Sequence, residues 1–218
     1  MAGRGLELRL LAALCAALTL PLWAADPGLP AAGKLLVATR KMRDADFAQA
    51  VILLLHSDAQ GVIGLIVNRP TEVRLAHLFP ELKNAPAGQA PVYLGGMVAQ
   101  GARGLVRAPE ENQAQASPGK TNPRKTGPRT GRPRITKDAL RLFGGVFVIS
   151  DSMALEQMAF SGARPDVFRV YAGYTGWSGE QLRNELQAGY WMVVTPAESI
   201  VFDPHPETLW PRLSGRSR

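Results

Sequence analysis

Three stretches bring together side chains that can bind a ligand or move a proton. "GYTGWSGEQL", residues 173–182, places three glycines, a tyrosine and a tryptophan within ten positions. Glycine lets a backbone approach a ligand closely, and Tyr174 and Trp177 offer ring faces for stacking. The same letters also describe a plain strand-to-helix corner, with strained φ angles taken by Gly173 and Gly176, Trp177 packed inward and Ser178 capping. Ser178 and Gln181 stand at the spacing of a capping box, which needs no ligand. The stretch has neither the G-x-G-x-x-G of a dinucleotide loop nor the G-K-[ST] of a phosphate loop. "VNRP", residues 67–70, sets Asn68 and Arg69 at a strand end. Arg69 can fork onto a carboxylate or phosphate of a ligand, or pair with a protein carboxylate such as Glu72 while Asn68 holds the turn. Gly95 and Gly96 read either as a close-approach loop or as a tight turn. The candidate ligand-binding set is therefore Asn68, Arg69, Gly95, Gly96, Tyr174 and Trp177.

Catalytic patterns are sparse. His56, His77 and His205 show neither H-x-x-x-H nor H-E-x-x-H spacing. His56 beside Asp58 offers a base with an orienting carboxylate; a histidine closing a buried strand and bonded to backbone is the plainer expectation. "RDAD", residues 43–46, offers a carboxylate pair for a cation or simply a solvated turn. There is no G-x-S-x-G elbow. One cysteine, Cys15, excludes an intramolecular disulfide framework and a thiolate metal cluster. No catalytic set, metal site or cofactor motif emerges, so a binding or regulatory module is expected. The rival is a hydrolase-type enzyme using Arg69 with Asp203 or Glu185, and His56.

The elements that must position these residues follow from hydrophobic pattern. "KLLVATR" reads as a strand; "FAQAVILLLHS" is a nearly continuous apolar run, as in a strand covered on both faces. "DAQG" supplies turn residues before "VIGLIVN", predicting a hairpin, and Pro70 stops that strand. "EVRLAHLFPEL" has helical spacing. "PVYLGG" predicts a strand with "GLVRA" as its hairpin partner. "GGVFVIS" and "VFRVYAG" are strands with a helix near 152–160 between them. A helix follows Ser178 and ends at Gly189, then "YWMVVT" and "SIVF" are strands and "PETLWPRL" closes as a helix. Strands and short helices mix without a βαβ repeat, which predicts an α+β fold with a mixed sheet in a compact single domain.

The net charge of +7 resides in one place. Residues 101–137 hold nine Lys/Arg against Glu110 and Glu111, a surplus equal to that of the whole chain, so the remainder is neutral. Pro109 to Pro133 carries no aromatic residue and no Leu, Ile, Val or Met. A stretch without apolar area cannot offset its ordering entropy, so 109–137 is expected to be a disordered basic insert. Residues 120–134 would attract an anionic polymer or membrane surface with little geometric demand, and they carry no interleaved rings for stacking bases. Residues 1–25 run from Arg4 and Arg9 through an eleven-residue apolar stretch, Leu10 to Leu20, to small residues. That order is expected of a signal peptide cut after Ala24 or Ala25, with a periplasmic destination; the alternatives are an uncleaved membrane anchor, a misassigned start codon that leaves the protein cytoplasmic, or a buried helix. Residues 26–32 then form a linker, 33–213 the domain and 214–218 a tail. An exported chain does not meet cytoplasmic nucleic acid.

Six blocks in order, "GKLLVATRKMRDADFAQAVILLLHSD", "GVIGLIVNRP", "VYLGGMV", "YAGYTGWSGEQLRNEL", "WMVV" and "VFDPHPETLW", resemble the YqgE/AlgH family of bacterial proteins. The resemblance covers about residues 33–108 and 144–213. It implies a compact α+β fold with a partly barrel-like mixed sheet, and it brings no activity, since the family is largely uncharacterised. A transcriptional-regulator label attached to some members implies the alternative of a cytoplasmic regulator touching nucleic acid through the basic insert. The chain departs from the family in its leader, in its basic insert, and in Met97 where proline is common.

Overall fold

A computed structural model describes residues 28–108 and 139–215. The expected leader, including Cys15, and the basic insert lie outside the described residues, as do the last three positions. The chain folds as the α+β body expected, a curled half-barrel sheet with short helices. Ten strands form the sheet, with β1 (Leu35–Ala38), β2 (Val51–Ser57), β3 (Val62–Ile66), β4 (Pro70–Arg74), β5 (Pro91–Leu94), β6 (Val98–Arg107), β7 (Leu140–Phe143), β8 (Val146–Ile149), β9 (Phe168–Trp177) and β10 (Trp191–Val194). Their order is β10-β1-β2-β3-β9-β6-β8-β7, with β5 branching from β9 in parallel and β4 pairing β5. The helices are α1 (Leu75–Leu78), α2 (Ser152–Phe160), α3 (Gly179–Gln187), α4 (Glu198–Val201) and α5 (Leu209–Ser214).

The apolar runs are continuous because the sheet is covered on both faces. In β1, Leu35 and Val37 face one core and Leu36 and Ala38 another; in β2, Val51, Leu53 and Leu55 face the first and Ile52 and Leu54 the second. Successive strand residues point to opposite faces, so each strand contributes to both cores. The expected β2–β3 hairpin forms, its turn held by the Asp58 carboxylate, which accepts from the amides of Gln60 (2.8 Å) and Gly61 (3.0 Å). Burial raises the Asp58 pKa, but these amides and His56 outweigh it and leave the carboxyl below its ordinary value.

As expected, β3 ends before Pro70, which opens β4; among the described residues β4 pairs only with β5, and an edge strand tolerates the missing donor. Three expectations are corrected. "EVRLAHLFPEL" divides into the end of β4, the single turn of α1 and a 3-10 turn, because Pro80 interrupts the helical run. "GLVRA" does not pair with "PVYLGG": β6 starts at Val98 and lies on the opposite edge of β9 from β5. "SIVF" enters α4, where local helical bonds and the capture of the Val201 carbonyl by Arg169 (3.0 Å) replace a ladder. Leu29, in the expected linker, packs on the core beneath α3.

Candidate functional site

Glycines 95, 96 and 173 stand where the sheet forks. One edge of β9 pairs with β5 through Ala172 and with β3 from Thr175 onward. At the change of partner Gly173 takes φ +70°, open to glycine at little cost. Gly95 bridges the fork: its amide donates to Ala172 O (2.7 Å) and its carbonyl accepts from Ile66 N (2.9 Å). A Cβ on Gly95 would lie 2.3 Å from Gly173 O, and one on Gly96 would lie 2.2 Å from the Tyr174 carbonyl carbon. The space is therefore filled by protein backbone. Gly176 differs from expectation: it takes no positive φ, and a Cβ there would meet nothing nearer than 3.8 Å.

The other four candidates also act within the scaffold. Asn68 is buried, accepting from Val51 N (2.8 Å) and donating to Gln49 O (2.9 Å), which holds Gln49 at φ +59°. Arg69 donates to the carbonyls of Asp46 (2.7 Å) and Ala48 (2.9 Å), while Glu72 lies 3.9 Å from Arg74 instead. Together they clasp the 46–50 loop and so seat Phe47, which stacks on Trp177 at 5.5 Å and meets Trp191 edge-on at 5.6 Å. Both indole N–H groups donate to Glu185 Oε2, from Trp177 at 3.1 Å and Trp191 at 2.7 Å. Buried indoles need such a partner. Tyr174 is half-buried under the Arg103 guanidinium, 5.7 Å from its ring centre. Ser178 Oγ caps α3 by accepting from Gln181 N (3.0 Å), but the Gln181 amide turns to Glu185 (2.9 Å). The helix ends at Gly189 (φ +73°) in a Schellman arrangement, with Tyr190 N donating to Glu185 O.

The groups of the enzyme alternative sit in separate networks. His56 Nε2 meets Asp58 Oδ2 at 2.8 Å with its ring half-exposed, a carboxylate partner where backbone was expected. Glu185 is committed to the two indoles. Asp203 is held by Arg212 and by His205 N. Among the described residues no cluster of three or more His, Cys, Asp or Glu side chains is placed to hold a metal ion. Asp44 accepts from Asp46 N (2.8 Å) in an exposed turn.

An open cleft of about 670 Å³ has a different character. Its walls come from β5 (Tyr93), the end of β6 (Arg107), the 164–166 turn (Arg164), β9 (Arg169), and Ser199 and Phe202 of α4 and its exit. Arg169 is 4% exposed within the buried run Phe168–Tyr171. Its guanidinium donates to the carbonyls of Pro165 (3.0 Å), Val201 (3.0 Å) and Asp203 (2.5 Å), which explains why α4 packs here. It lies over the rings of Tyr93 (5.0 Å) and Phe202 (5.7 Å), and Arg107 lies over the Phe202 ring at 5.2 Å. Arg107 Nε is 3.4 Å from Glu198, whose other oxygen accepts from Gly145 N (2.6 Å); Arg164 binds Asp166 through two N–H groups. Burial raises the pKa of Tyr93 and of Tyr171 behind it, with Arg169 opposing the rise in both, so both phenols keep their protons. The Tyr171 hydroxyl and Arg107 Nε are buried without a hydrogen-bond partner among the described residues.

This cleft escaped the sequence reading because Tyr93, Arg107, Arg169 and Phe202 come from distant positions and share no motif. One signal was present: Arg169 interrupts an otherwise apolar strand, "VFRVYAG", and a charge at a buried position marks a partner or a site.

Comparison with known proteins supplies the family frame. The AlgH-like family model matches residues 35–217. A UPF0301 protein of Streptomyces coelicolor is 30% identical over 85% of this chain and 86% of its own length. A UPF0301 protein of Verminephrobacter eiseniae is 31% identical over 79% and 82%. Among solved structures, the protein DIP2367 of Corynebacterium diphtheriae superposes with a TM-score of 0.65 at 21% identity, over 87% of this chain and 88% of that one. The AlgH protein of Pseudomonas aeruginosa gives 0.61 at 24% identity, over 84% and 87%.

Proposed function

From the premise that this chain belongs to the AlgH-like family, we propose that it is an exported, non-catalytic binding module whose ligand occupies the cleft between Tyr93, Arg107, Arg169 and Phe202. One observation carries the reading: an open cleft of about 670 Å³ is walled by ring faces and guanidinium groups. Such groups bind and orient a ligand, whereas they neither accept nor release a proton readily. The volume lies in the range of small-molecule pockets. The glycine and indole corner serves as the scaffold that holds β9, and therefore Arg169, in register.

Export rests on the order of charge, apolar run and small residues in 1–25. Residues 120–134 add a salt-sensitive attraction to an anionic polymer or membrane surface. Two experiments test the proposal. A fragment screen read by ¹⁵N-edited NMR should shift amides near Tyr93 and Phe202 without converting the bound compound; chemical conversion would make the protein an enzyme. Mass spectrometry of the N-terminus from fractionated cells should find a chain beginning at Ala25 or Asp26 outside the cytoplasm. An intact Met1 in the cytoplasm would restore the regulator reading.

A further inference from the structure

Taking that binding reading as its basis, we infer that the ligand of the cleft is an oxyanion, of phosphate or carboxylate type, neutralising Arg169. Arg107 and Arg164 have carboxylate partners in Glu198 and Asp166. Among the described residues Arg169 makes no ion pair, although it is 4% exposed. The Asp203 carboxylate, the nearest in sequence to its carbonyl partners, turns to Arg212 and His205. Three carbonyls and two ring faces satisfy hydrogen bonds and soften the charge, yet each is a dipole or quadrupole and the net positive charge remains. A charge in a poorly hydrated site is costly until an opposite charge joins it.

The cleft delivers that partner from solvent, since Arg169 lines it. A guanidinium carries five N–H donors, and the three carbonyl bonds of Arg169 leave two for a ligand. Arg107, whose side chain is 33% exposed and lines the cleft while its buried Nε faces Glu198, brings a second guanidinium to it. An oxyanion between two guanidinium groups meets charge-assisted bonds from both, with a carboxylate taking one fork and a phosphate able to engage both.

The test is a titration of the full chain, ¹⁵N-labelled, with inorganic phosphate and separately with acetate, at fixed ionic strength. Saturable shifts of the Arg107 and Arg169 side-chain Nε–H signals are expected, with affinity falling about tenfold in Arg107→Gln, the loss of one charge-assisted hydrogen bond. Arg169→Gln should abolish the response, and Arg107→Gln keeps the inference testable if that variant fails to fold. Tighter binding of phosphate than of acetate assigns a phosphorylated ligand; the reverse assigns a carboxylated one. Shifts that are unchanged in Arg107→Gln, or that fall outside the cleft, overturn the inference. An uncharged fragment that binds the cleft while neither anion does overturns it and leaves the binding reading intact. No probe of either kind binding there overturns both.

Discussion

The glycine and indole corner and the arginine cleft lie on the same strand, β9, at residues 173–177 and 168–171, and they make opposite use of it. At the corner, residue types that suggest ligand binding are consumed by the fold: backbone fills the glycine gap, and Glu185 occupies both indole N–H groups. At the cleft, an arginine that looks like an interruption of a strand is buried beside open space with its charge unbalanced. Glycine next to aromatics thus signals close approach without saying what approaches. A buried charge is more informative, because its cost has to be offset by something identifiable.

If the corner is scaffold and the cleft is site, substitutions should separate stability from binding. Gly96→Ala has the largest expected effect: its Cβ would overlap the Tyr174 backbone at 2.2 Å, and loss of about 3 kcal/mol or failure to fold is expected by denaturant melting. Gly176→Ala, with 3.8 Å of clearance, should change stability by less than about 0.5 kcal/mol. Equal effects would erase the fork. Glu185→Ala strands two indole N–H groups and should cost about 2 kcal/mol with a shift in tryptophan fluorescence, leaving phosphate binding unchanged. Ser178→Ala removes one cap bond and should cost about 1 kcal/mol in thermal melting.

The smallest effect concerns pH, at the edge of the cleft. Burial raises the pKa of Asp203, but Arg212 and the His205 amide outweigh it and hold the carboxyl below its ordinary value. A depressed folded-state pKa contributes stability that is present above the unfolded value and lost as pH falls through the folded one. Asp203→Asn should therefore lower stability modestly at neutral pH and flatten the acid limb of the stability curve, so that variant and parent converge below about pH 4. An unaltered acid limb would show that the Arg212 pair contributes nothing to folding.

Much of the fold was legible because local signals were strong. The unbroken apolar runs of β1 and β2, the Asp58 turn and the Ser178 cap each follow from chemistry within a few residues. Legibility failed where pairing was non-local. The run "SIVF" has strand character, yet its carbonyl at Val201 is captured by Arg169 from thirty-two residues upstream, and the segment closes as α4. "GLVRA" looked like a neighbour of "PVYLGG" because they are close in sequence, while β9 inserts between them in space.

By itself, then, the sequence determined the central strands of the sheet, their two-sided burial, the cap and end of α3 and the family, since these depend on hydrophobic period, capping chemistry and motif order. The tertiary structure alone decided which residue types were structural and which faced a cleft. Tyr93, Arg107, Arg169 and Phe202 meet only after β5, β6 and α4 have packed around β9. Whether a guanidinium ends beside a carboxylate, a carbonyl or solvent depends on that packing, and on nothing within reach of its neighbours in the chain.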